Sequence, residues 1–182
     1  MFYDKPIAKH WISKVLTAIG ITTSLPGRIF NLALGGTAIA SIGTDAAAVA
    51  GTVYVAEVFL PANKTLTGIG VLNGTNVGTD KINVALYDGD GVKVANSDLA
   101  GTLGAGADAF QQVPFTATYD AVGPARYFVG LQVEGTTHQN QRMSANTPVC
   151  FTAAVAGSFG TMPNITPPTS FTAGQGPIVY LY

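Results

Sequence analysis

Ile82-Asn-Val-Ala-Leu-Tyr-Asp-Gly-Asp-Gly-Val-Lys-Val94 is the stretch from which the fold can be read. Ile82, Val84 and Leu86 alternate with Asn83, Ala85 and Tyr87, and a period of two places one face of a strand in a core. Asp88-Gly-Asp-Gly91 supplies residues suited to a tight turn. Val92 and Val94 then return on the same face, so the stretch reads as a β-hairpin.

Short strands between turns extend outward from this hairpin. Residues 52–60 are β-branched and aromatic with both faces largely apolar, which suits a central strand ended by Pro61; residues 65–72 follow and close at Asn73-Gly74. Downstream, residues 99–109 form a glycine-rich loop. Val113, Phe115, Ala117 and Tyr119 alternate on a strand that Pro114, lacking an N–H, assigns to a sheet edge. After a turn at Gly123-Pro124, Tyr127, Val129, Leu131 and Val133 give the cleanest alternation in the chain. Residues 139–145 and 149–155 are weaker strands, 162–176 a proline-rich surface loop, and 178–182 a closing strand. This spacing predicts an all-β antiparallel sandwich over residues 52–182.

The front of the chain differs. Ile7, Trp11, Val15 and Ile19 recur every four residues after Pro6, with Lys9, Ser13 and Lys14 on other faces, predicting an amphipathic helix over about residues 6–19. Residues 20–51 are rich in Gly, Ala, Ser and Thr and read as an extended linker, in which Asp45-Ala-Ala-Ala-Val-Ala50 could form one short helical turn. The N-terminal arm thus spans residues 1–51. It could pack on its own sandwich, dock on a neighbouring subunit or lie on a membrane surface, though three lysines argue only weakly for a membrane.

Composition narrows the function classes. Of 182 residues 47% are apolar and only 10% charged, against about 25% charged in typical soluble domains. Residues 1–30 carry a net +3 and the remainder −4, and beyond Arg142 no residue is charged. A surface this poor in charge points to coverage by neighbours. The contact candidates are Ile7, Trp11, Val15, Ile19, Phe30, Phe159 and Phe171. Asp4 and the dispersed lysines fit a signal peptide poorly, so synthesis inside the cell is expected. No apolar run is long enough for a membrane-spanning helix.

Candidates for chemistry are few. His10 and His138 have no nucleophile motif nearby, and Ala156-Gly-Ser-Phe-Gly160 lacks the first glycine of a nucleophile elbow. Cys150, between Val149 and Phe151, reads as a small buried hydrophobe. Asp88 and Asp90 could seed a calcium loop, but Val92 stands where a ligand would be needed, which favours a plain turn. Glu57 lies in an apolar strand and is expected to be buried and paired. An acidic body and three lysines on one helix argue against nucleic-acid binding. No catalytic, cofactor-binding or metal site is expected.

The stretch Ala85-Leu-Tyr-Asp-Gly-Asp-Gly-Val-Lys-Val-Ala95 resembles a hairpin found in phage virion proteins and in sandwich-type carbohydrate-binding modules. A basic arm ahead of a low-charge sandwich rich in Gly, Ala and Thr is similar to the head-decoration or cement proteins of tailed bacteriophages. That resemblance implies a jelly-roll-like sandwich, usually trimeric, seated over junctions between major capsid subunits of a virion. It carries over no individual residue. The alternatives are a tail-fibre or head-fibre receptor-binding module using Tyr87, Tyr119 or Tyr127 as sugar platforms, a cellular adhesin, pilus or surface-layer subunit, and an enzyme.

Overall fold

The computed structural model describes residues 27–31, 43–144 and 150–182, and the predicted helix over residues 6–19 lies outside these. The described residues contain twelve strands and no helix. In chain order they are β1 (Ile29–Phe30), β2 (Thr44–Ala47), β3 (Val53–Leu60), β4 (Lys64–Leu72), β5 (Lys81–Tyr87) and β6 (Lys93–Asn96), followed by β7 (Thr102–Leu103), β8 (Phe110–Ala121), β9 (Ala125–Val133), β10 (Gln139–Arg142), β11 (Thr152–Val155) and β12 (Val179–Leu181). They form an antiparallel β-sandwich. The first sheet has the order β1-β12-β4-β8 and the second β11-β3-β9-β5-β6, with β7 on β5; β10 and β2 make a separate ribbon.

Alternation explains why the layers meet. Val58 and Leu60 of β3, Ile82, Val84 and Leu86 of β5, and Val129, Leu131 and Val133 of β9 all face the first sheet. Leu66, Ile69 and Val71 of β4, Val113 of β8, and Val179 and Leu181 of β12 meet them from the other side. Burying each such side chain contributes roughly 1.5–3 kcal/mol, so this interlayer is the main source of cohesion. β8 ends the order of its sheet, which is where Pro114 can sit without an N–H to donate.

The second sheet is apolar on both faces. Val53 and Val55 of β3, Ala85 and Tyr87 of β5, and Phe128 of β9 point away from the first sheet and are covered by Met162 and Ile165. The proline-rich segment beyond β11 is therefore a strap laid across the sheet, with its apolar side chains turned inward. Gln132 of β9 pins it, donating to the carbonyls of Gly51, Ser158 and Thr161 and accepting from the amide of Gly160.

Two expectations need correcting, and one open reading is settled. β1 pairs with β12 and β2 with β10, so strands of the fold begin well before residue 52. The stretch from Asp45 to Ala50, where the sequence allows a helical turn, is strand as far as Ala47 and contains no helix. Its alanines align with Gln139 and Asn140, while the Asp45 carboxylate accepts from the Thr75 amide and hydroxyl and from Gln141 Nε2. Val92 does not return to the core. The hairpin register shifts between Leu86 and Tyr87, which leaves Val92 exposed while Val94 packs against the interlayer.

Candidate functional site

β1 joins the upstream chain to the sandwich through only two residue pairs, Ile29 with Leu181 and Phe30 with Tyr180. Side chains reinforce this short join. Asn31 is buried, donates through Nδ2 to the Pro177 carbonyl at 2.9 Å and accepts at Oδ1 from the Val179 amide at 3.0 Å. On the outer face of the first sheet the Phe30 ring lies 5.6 Å from Phe110 and 5.0 Å from Tyr180, and the Arg28 guanidinium sits 4.6 Å over Tyr180. Glycines in β4 leave room for this aromatic layer. A Cβ on Gly70 would fall 2.2 Å from the Tyr180 ring, and one on Gly68 2.3 Å from the Tyr182 hydroxyl.

From Ile29 the chain runs back toward one end of the sandwich. There the Lys64 ammonium donates to the Gly27 carbonyl. The same end holds the close of β3, the start of β4, and the β5–β6 and β8–β9 turns, as the pairings of Leu60 with Ala125, Lys64 with Ala121 and Tyr87 with Phe128 require. It also exposes Phe59, Val92 and Val122, three of the five large apolar side chains left in solvent among the described residues. A shallow groove of ≈ 310 Å³ at this end is lined by Asn63, Lys64, Thr65, Asp120, Ala121 and Val122, so of the three only Val122 borders it. The Tyr127 hydroxyl fixes the turn, accepting from the Val122 amide and donating to its carbonyl.

The contact candidates divide into two groups. Ile7, Trp11, Val15 and Ile19 lie outside the described residues. Phe30, Phe159 and Phe171 are half-buried against their own chain: Phe30 in the aromatic layer, Phe159 over Gly101, and Phe171 beside Leu72, Met143 and Ile178. The sugar-platform candidates are not free either. Tyr87 and Tyr127 are buried, and Tyr119 stands edge-on to Tyr127 at 6.4 Å.

The candidate chemical groups among the described residues are engaged structurally, except His138 Nε2, which is buried without a hydrogen-bond partner among them. His138 is fully buried, its Nδ1 lies 3.1 Å from the Val77 carbonyl, and burial pushes its pKa below the usual imidazole value. Burial likewise pushes the Cys150 thiol up to about 12, which suppresses the nucleophilic thiolate. Asp88 Oδ1 accepts from the amides of Asp90 and Val92, spending that oxygen on the turn. Glu57 is half-buried and accepts from the Phe151 amide, with Arg126 Nε at 3.8 Å.

The buried ribbon polar cluster was not legible beforehand. Arg142 is 4% exposed, with its guanidinium 3.5 Å over the Tyr54 ring. It donates to Asn140 Oδ1 and to the carbonyls of Ala47 and Gly174. No carboxylate pairs with it among the described residues. Carbonyl dipoles and an aromatic face satisfy the charge and make it a clamp across β2, β10 and the strap.

No family model matches this chain, and no curated protein matches it in sequence.

Proposed function

We propose that the chain is a structural, non-catalytic subunit of a virus particle, of the capsid cement or decoration kind, working through its N-terminal arm and its neutral surface. One observation carries this reading. The strap lies on the outside of the second sheet, and from residue 150 to the C-terminus no side chain is charged. Its outward positions are Ser, Thr, Ala, Asn and Pro, including Ser158, Thr161, Thr166 and Thr169. A face without charge is poorly protected against association. On a symmetric lattice, many modest contacts of such a face add up to firm attachment.

The short β1 join supports a mechanical role for the arm. It is locked by Asn31 and the aromatic layer, so tension on residues 1–26 would pass directly into the first sheet. A sugar-binding fibre module is less well supported, because Tyr87 and Tyr127 are packed inside the sandwich and do not form an open platform.

The test is attachment to particles. A variant beginning at Gly27, which keeps β1, is expected to fold with the parent's thermal transition and to lose co-sedimentation with particles stripped of this protein. Full co-sedimentation of that variant would overturn the role given to the arm. A glycan array with strong specific binding would favour the receptor-binding alternative.

A further inference from the structure

The exposed apolar end of the sandwich has no partner among the described residues, yet the chain upstream of Gly27 issues directly beside it. Lys64 both holds the Gly27 carbonyl and lines the groove next to Val122. We propose that this end is an intramolecular dock, occupied in the free subunit by the chain's own segment from Pro6 to Ile19 through the stripe Ile7, Trp11, Val15 and Ile19.

Dimensions are compatible with that occupant. A helix of fourteen residues is about 21 Å long, while the end of the second sheet from β3 across β9 and β5 to β6 is about 14 Å wide at ~4.8 Å per strand. The seven residues 20–26 reach up to about 24 Å, so every exposed apolar residue at this end is within range. The same end carries Asp88, Asp90 and Asp120 but also Lys64, Lys93 and Arg126, so reach and not charge selects the arm. Tethering decides between the chain's own arm and that of another copy. A short linker holds its segment at an effective concentration of the order of millimolar, far above that of other copies in a micromolar solution. The dock stands independently of the virion reading, since a fibre or surface-layer subunit could carry the same device.

Trp11 is the only tryptophan in the chain, so its fluorescence reports on the arm alone. In the full-length protein its emission is expected to be blue-shifted, shielded from iodide and unchanged on dilution from tens of micromolar to below one micromolar. Covering one exposed aromatic or branched side chain is worth about tenfold in an equilibrium. Phe59→Ser combined with Val122→Ser should therefore lower the docked-to-undocked ratio about a hundredfold, red-shifting the emission and opening it to iodide while far-UV circular dichroism stays the same. If the double variant does not fold, Val122→Ser alone, at an exposed turn position, is read by the same criteria. Emission typical of water in the parent, shielding that survives the folded variant, or shielding lost on dilution, as for an arm bound to another copy, would each overturn the proposal. Particle attachment is not part of this readout, so its failure and that of the virion reading are separable.

Discussion

Asn31→Ala should detach β1 from the sandwich while leaving the core folded. The substitution strands two buried backbone groups at once, the Pro177 carbonyl and the Val179 amide, both satisfied by the Asn31 side chain. Each orphaned buried group costs about 1–3 kcal/mol, so the pair gives about 3 kcal/mol. β1 contributes only two residue pairs of its own and cannot absorb such a loss. The opening equilibrium of this edge should rise by roughly a hundredfold. Native-state hydrogen exchange measures it directly: protection at Val179 and at the amide of position 31 should fall by that factor, while Val129 and Leu131 in the interlayer keep theirs. Unchanged protection at Val179 would refute the reasoning. So would a uniform loss across the core, because it would make Asn31 part of the global fold and not of a local join.

Gly70→Ala should cost about 1–3 kcal/mol by overpacking, since the new methyl would strike the Tyr180 ring; thermal denaturation should show the loss, with Tyr180→Ala in the same chain relieving part of it. His138 sets an acid limit on stability: its folded pKa is lowered by burial, so the unfolded chain binds more protons as pH falls. Stability from this group is present above about pH 6.5 and declines as pH drops through that value toward the lowered folded pKa. Urea midpoints measured from neutral to mildly acidic pH should fall, and His138→Met should flatten that dependence. Cys150 should react slowly with a thiol reagent at neutral pH in the native state and quickly in urea, because its thiol is pushed up to about 12; fast native labelling would contradict the packing described for it.

The sandwich was legible because its main strands alternate cleanly. In β5 and β9 apolar and other residues change places every second position, and the outward Tyr87 and Phe128 meet a second apolar cluster under the strap. Pro114 located a sheet edge through its missing donor. The ribbon was harder to read, because β2 is made of small residues and β10 reads Gln-Asn-Gln-Arg, a polar run that no hydropathy pattern would bury. Its burial depends on long-range partners, Asp45 for Gln141 and the Tyr54 ring for Arg142, which sequence spacing does not reveal. The exposed end was hidden for a related reason. Phe59 and Val122 lie far apart in sequence, and only the strand order brings them to one end. The uncharged C-terminal stretch was read as a surface meant to be covered, but its apolar residues Met162 and Ile165 are already covered by the chain's own second sheet. What remains outward is neutral and polar.

The proposed virion role requires that other subunits cover the neutral outer face of the strap. Gradient sedimentation of the protein from the cells that produce it, followed by immunodetection across the fractions, addresses this most directly. Virion assembly predicts that most of the protein travels with particles of uniform density and that little remains near 18.7 kDa. Recovery of nearly all of it as a soluble monomer from cells that also release complete particles would contradict the claim.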